Sequence, residues 1–167
     1  MFDRLVIGVD PGMAATGLAV VAGGQGGAAG VVCAVTVRTR PGSPEPSRLR
    51  TLFHSVMAAV ERHRPKAIAI ERLMWGRNVT SAMGVARASG VVLLAAAEAG
   101  LPVFEYAPLE VKLAVAGNGT AGKPDVRRAL EKLHGVADLP TEPDAADAVA
   151  VAVCHLHQSR ALREAVR

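Results

Sequence analysis

Apolar residues fall along this chain in two rhythms. Leu5-Val-Ile-Gly-Val9 is a short continuous apolar run from Arg4 to Asp10, and Pro11-Gly12 closes it with a turn. A second strand is predicted over Gly17 to Ala22. The Gly-rich run Gly23 to Gly30 then turns into a third, Val31 to Thr39, rich in β-branched residues. Three strands on such short links form an antiparallel meander. From Pro46 to His63 the rhythm changes, with Leu49, Leu52, Phe53, Val56, Met57 and Val60 at the spacing of an amphipathic helix. Lys66 to Glu71 is another short apolar strand ending in an acid, and the intervening helix lets it cross over to lie parallel to the first. A long helix of small residues follows from Thr80 to Ala99, stopped by Gly100, and then a strand at Pro102 to Tyr106. Helices are predicted at Leu109 to Ala116, Lys123 to His134 and Asp144 to Arg163. Arg38 to Ser47, with three prolines and two arginines, is the least structured interior stretch. The order implies an α/β fold with a mixed five-stranded sheet, meander plus parallel strands, flanked by helices.

Composition narrows the class. The 167 residues suit one domain, 1–167, burying about 70% of the unfolded surface without a disulfide or structural metal. Residues 158–167 form a basic C-terminal tail, expected to be mobile. Half the chain is apolar but only 3% is aromatic, so the core must be built from Val, Ala and Leu. Cys33 and Cys154 sit in apolar segments and read as buried reduced thiols. The start lacks a basic leader ahead of a long apolar stretch, and no run approaches the ~18 apolar residues of a membrane helix; the expected setting is the cytoplasm. The net charge of +4 hints at a polyanionic partner. With four of the 15 acids neutralised by metal, 11 acids remain against 19 cations, a balance of +8. Arginine, whose planar fork suits phosphate, dominates those cations; Arg77 and the Arg38 to Arg50 stretch are candidate phosphate contacts.

Four acids stand in places that packing does not explain. Asp10 and Glu71 each close an apolar strand, and parallel neighbours would bring both to the sheet edge where open α/β sheets place ligands. Asp144 and Asp147, three apart, share one helix face. Thr141-x-x-Asp144 has the form of a capping box, which would account for Asp144 alone. Asp147 has no such excuse. Ala145 to Cys154 is otherwise all Ala, Val and Cys, and an isolated carboxylate there would lose several kcal/mol of solvation, so Asp147 must line a cleft or meet a cation. Oxygen-only ligands suit Mg²⁺ or Mn²⁺ rather than zinc, and two divalent ions would balance four charges. His155, about 16 Å along the helix from Asp144, and His157 read as surface or packing residues. No G-x-G-x-x-G fingerprint or phosphate loop is present. An actin-like ATPase shares the strand-Asp-x-Gly start but pairs two such domains, and the chain has room for one.

Gly-Val-Asp-Pro-Gly with Thr16-Gly17, Ala-Ile-Glu71-Arg with Asn78, Ala-Arg87-Ala-Ser-Gly90 and Asp144-Ala-Ala-Asp147-Ala resemble the RuvC family of Holliday-junction resolvases. Tyr-Ala-Pro-Leu-Glu-Val-Lys112 and Gly-Asn-Gly-x-x-x-Lys123 resemble it too, so the likeness spans nearly the whole chain. It implies an RNase H-like fold, a homodimer, symmetric metal-dependent nicking of two opposed strands of four-way junction DNA, Mg²⁺ or Mn²⁺ as cofactor, and RuvA and RuvB as partners. The family acids fall on Asp10, Glu71, Asp144 and Asp147, and family lysines near the scissile bond fall on Lys112 and Lys123. Where many members carry a phenylalanine three residues after the glutamate, this chain has Met74, with Trp75 next. With Gly76, Arg77 and Asn78, either apolar residue suits a DNA-binding loop that wedges between bases. The long helix from Thr80 to Ala99 is a plausible dimer surface, since Ala82, Gly84, Ala86, Ala88 and Gly90 permit close approach and Val91 to Leu94 add apolar area. The same small residues would equally let it pack on its own sheet. A monomeric RNase H-like nuclease acting on RNA and a catalytically silent DNA-binding module are the alternatives; four clustered acids argue against the second.

Overall fold

A computed structural model describes residues 4–73 and 79–165, apart from the side chains at 79, 81 and 160–165. The elements run β1 (Arg4–Asp10), β2 (Ala15–Gly23), β3 (Ala29–Arg38), α1 (Glu45–His63), β4 (Ala67–Glu71), α2 (Val79–Glu98), β5 (Val103–Tyr106), α3 (Pro108–Ala116), α4 (Lys123–Lys132) and α5 (Pro143–Ala165). They form one five-stranded sheet in the order β3-β2-β1-β4-β5. The meander β1-β2-β3 is antiparallel, and β4 and β5 join parallel to β1. Each element expected from the sequence is present, most of them a residue or two longer or shorter than predicted.

The central strands β1, β2 and β4 are buried on both faces. Side chains alternate along β1, so Ile7 and Val9 face one core with α1 and α2, while Val6 faces the other with α3, α4 and α5. Helix α5 is the central support. From Ala148 to Leu156 every residue is buried, as the all-round apolar sequence demands. Its start differs from expectation. Pro143 opens the helix and the Ala146 amide donates to the Glu142 carbonyl (3.0 Å), so Asp144 lies in the first turn without Thr141 as its cap; proline suits this position because its missing N–H has no intrahelical partner. The helix continues to Ala165, so positions 158–165 of the expected tail are helical. Among the described residues, no helix is long and apolar enough to cross a membrane.

Three side-chain expectations meet the structure here. His155 is buried, its Nδ1 2.7 Å from the Tyr106 hydroxyl, and His157 packs edge-on against His134. Both are packing residues. Cys154 is buried and free, but Cys33 is only partly buried because it lies on the edge strand β3. On α2, Ala82, Ala88, Val92, Ala95 and Ala96 are buried, whereas Met83, Leu93 and Leu94 are 48%, 40% and 53% exposed. The small residues thus divide between two faces: Ala82 and Ala88 pack inward, and Ala86 and Gly90 lie on the exposed side.

Candidate active site

Register fixes the first pair of acids. β1 and β4 run parallel with Val9 opposite Ile70, so Asp10 and Glu71 are adjacent at the carboxyl end of the sheet, and Tyr106 of β5 lies beside Glu71. The turn after Asp10 is locked. Thr16, 1% exposed, donates its hydroxyl to the Gly12 carbonyl (2.7 Å) and accepts from the Gly12 amide (3.2 Å). Thr39 Oγ1 and Arg48 Nη2 both donate to the Met13 carbonyl at 2.6 and 3.0 Å, and Arg48 Nε donates to Thr39 Oγ1 at 2.8 Å. Arg48, expected among the phosphate contacts of the Arg38 to Arg50 stretch, is therefore engaged in bracing this turn.

The second pair arrives by a different route. Gly17 stands opposite Asp10 on β2, and a Cβ at Gly17 would overlap the carbonyl oxygen of Asp144. One turn further along α5, a Cβ at Gly8 would overlap the carbonyl oxygen of Ala148. Two glycines inside strands thus let the α5 backbone lie directly on β1 and β2, bringing Asp144 to the level of Asp10. Sequence reasoning assigned these glycines no such task, although glycine within a strand is itself a signal of close backbone approach.

Asp10, Glu71, Lys112, Lys123 and Asp147 line one cavity of about 380 Å³, floored by Pro108, Val111, Val126 and Ala150. Asp144 lies outside that lining but close enough for its charge to act on Asp10. Lys123, the first residue of α4, reaches Asp147 Oδ2 at 2.6 Å. Its position at a helix N-terminus, with unsatisfied N–H groups, adds positive character there. Lys112 is presented by α3, whose start is capped by Glu110 accepting from the Ala107 amide (2.7 Å); Arg72 Nη2 is 3.7 Å from the same carboxylate, tying the residue after Glu71 to α3. Met74, Trp75, Arg77 and Asn78 lie outside the described residues.

The acids outnumber the two lysines beside them, and the cluster stays negative. Burial, then the charges of Glu71, Asp147 and Asp144, push the Asp10 carboxyl up to about 7 against the opposing pull of Lys123. Burial, then Asp147, likewise raises Glu71, with Lys123 and Lys112 pulling down. The hydrogen bond to Asp147 is the main cause that raises Lys123. Carboxyl groups held this way favour cations that can replace their protons. The all-oxygen donor set fits a hard divalent ion. A larger cavity of about 630 Å³ beneath β5 holds no comparable cluster of acids.

A mixed sheet in this order, with acids from β1, β4 and α5 gathered at its carboxyl edge, defines an RNase H-like hydrolase of the nuclease class. The comparisons with known proteins make the family specific. Residues 6–155 match the family model described as crossover junction endodeoxyribonuclease RuvC. The RuvC of Pelotomaculum thermopropionicum is 44% identical over 92% of this chain and 93% of its own length. Among solved structures, T. thermophilus RuvC in complex with Holliday junction substrate superposes with a TM-score of 0.89 at 36% identity, covering 95% of this chain and 96% of that one. The yeast mitochondrial Holliday junction resolvase Ydc2, 11% identical with a TM-score of 0.72 over 96% of this chain and 81% of that one, shares the fold. The chain belongs to the RuvC family of crossover junction endodeoxyribonucleases. Nucleases of this family are metal-dependent.

Proposed function

We propose that the chain cuts four-way junction DNA at a site in which Asp10, Glu71, Asp144 and Asp147 hold two divalent ions, Mg²⁺ or Mn²⁺. The observation that carries this is the convergence of four acids from three elements on one sheet edge, with Asp10 pushed up to about 7 by burial and by its neighbours' charges. When bound, the ions supply Lewis acidity and a nucleophilic water at neutral pH. The protein's own part is positional. Asp10, central in the cluster, would hold the ions together with Glu71, Asp144 and Asp147. Lys112 and Lys123 present ammonium groups to the scissile phosphate, where developing negative charge needs fixed cations. The apolar floor of Val111, Val126 and Ala150 limits water around them.

Each protomer has one such cluster and cuts one strand per binding event, so resolving a junction takes a twofold dimer. Its contact surface is the exposed side of α2, with Met83, Leu93 and Leu94. Met74 or Trp75 wedges at the junction centre, with Arg77 and Asn78 on the backbone. That assignment rests on the sequence of the segment that follows Glu71. The same proposal has the whole chain acting as one nuclease domain, basic at its C-terminal end, in the cytoplasm with RuvA and RuvB as partners.

Labelled four-way junction and matched duplex, incubated with and without Mg²⁺ or Mn²⁺, test the reading. Paired nicks in the junction alone, and only with metal, are the expected result. Replacing Asp10, Glu71, Asp144 or Asp147 singly with the amide should lower cutting by at least ~10²-fold, a loss of the size seen when one charge-stabilising group is removed, while junction binding persists. Full activity in Asp147→Asn would remove that residue from the site.

A further inference from the structure

The ammonium of Lys123 sits on one of the carboxylates proposed as metal ligands, and this contact has a consequence for how the site is filled. Lys123 Nζ lies 2.6 Å from Asp147 Oδ2, the short separation of a charge-assisted hydrogen bond. Among the described residues, Asp147 is the only one of the four acids in an ion pair. The lysine is built to move. Its side chain is 73% exposed against 31% for Asp147, and among the described residues no other side chain pairs with it. Its backbone is held: Pro124 follows it in the first turn of α4, and the Gly122 amide before it donates to the Asp125 carboxylate at 3.1 Å. The ammonium can swing into the cavity on its flexible stem without any shift of the helix. Asp10, Glu71 and Asp147 face one cavity, although among the described residues no three such side chains stand close enough to hold an ion without adjusting.

We infer that Lys123 is an internal counter-ion that occupies Asp147 while the centre is metal-free and is displaced from it when a divalent ion enters. The inference rests on the metal-site reading above and adds a coupling to it. Lys123 and an entering ion compete for Oδ2 of Asp147, so an ion that takes this oxygen frees the cation offered to the phosphate. Without metal, the same ammonium offsets part of the charge of Asp10 and Glu71 as well. Lys112 lines the same cavity but forms no ion pair among the described residues, which makes it the natural control.

The test is a titration of the full-length protein with Mg²⁺, followed by the ¹⁵Nζ resonance of Lys123 and the carboxyl ¹³C resonances of the acids. The expected result is that the Lys123 signal leaves its hydrogen-bonded position and approaches that of a free lysine, in step with the shift of Asp147. Carboxyl shifts that show Mg²⁺ bound while Lys123 stays unchanged would overturn the displacement. Carboxyl groups that never respond to Mg²⁺ would instead overturn the metal-site reading beneath it. A second measurement separates direct competition from loss of a nearby positive charge. Mn²⁺ affinity, read from the spectrum of free Mn²⁺, should rise about tenfold in Lys123→Met, the scale of one charge-assisted contact, and much less in Lys112→Met. Equal gains in the two variants would leave a general field effect as the explanation and count against displacement.

Discussion

Helices α2 and α5 are both long and rich in small residues, and they pack on opposite faces of the same sheet, yet they end in different situations. Helix α5 is enclosed from Ala148 to Leu156, because β1 and β2 lie against one side of it and α3 and α4 against the other. Its first turns are less enclosed and carry the two aspartates, with Asp147 on the cavity. Helix α2 packs against α1 and shares that face's core with the sheet, with Met83, Leu93 and Leu94 facing solvent. Similar composition therefore produces a buried support for chemistry on one face and an apolar surface on the other. A polar group on α5 has to be used, whereas an apolar group on α2 is left at the surface.

Breaking the α5 side should have the largest effect. Gly17→Val would drive a branched side chain into the Asp144 carbonyl, backbone that cannot move without lifting α5 from the sheet. A loss on the order of 3 kcal/mol in stability is expected, together with loss of cutting in whatever folds. Denaturant melts and single-turnover cleavage measure the two. A Gly17→Val protein of unchanged stability would mean that α5 does not seat as closely as described.

A smaller, purely intermolecular effect is expected from α2. Leu94→Glu puts a charge on a side chain that is already 53% exposed, so the monomer should melt within about 0.5 kcal/mol of the parent. Dimerisation should weaken by about 100-fold, the scale of losing a central apolar contact, and paired nicks should give way to single nicks per junction. Sedimentation and nick counting read this directly. Unaltered dimers would move the interface elsewhere.

The smallest expected effect tests the strain of the acids themselves. Asp10 is raised to about 7, against ~3.9 for a free aspartate. The folded protein therefore holds that proton more tightly than the unfolded chain does. The stability this contributes is fully present below pH ~3.9 and is lost as pH rises through about 7. Metal-free Asp10→Asn, unable to ionise, should be more stable than the parent at pH 8 by on the order of 2 kcal/mol and close to it at pH ~4, near the unfolded value. Saturating Mg²⁺ should reverse the order at pH 8, since only the parent gains from the ion. Thermal melts at the two pH values, with and without Mg²⁺, decide it; an Asp10→Asn protein less stable at pH 8 without metal would show that the acids are not crowded.

Much of this was readable along the chain because it depends on local rules. Short apolar runs and helical spacing located the five strands and the α-helices, and acids closing apolar strands or interrupting an apolar helix stood out because burial forbids an idle charge. Thus Asp10, Glu71 and Asp147 could be singled out before any fold was known. Other features depend on which backbones meet. Gly8 and Gly17 look like flexible strand residues until α5 is laid across them. Arg48 belongs by sequence to a basic stretch suited to phosphate, and its engagement with Met13 and Thr39 exists only once α1 packs beside the Asp10 turn. Lys123 and Asp147, 24 residues apart, carry no pattern that joins them. Sequence periodicity reports the surroundings of each residue averaged over a face. The choice of one partner over another is made by distances across the fold, and only the tertiary structure sets those.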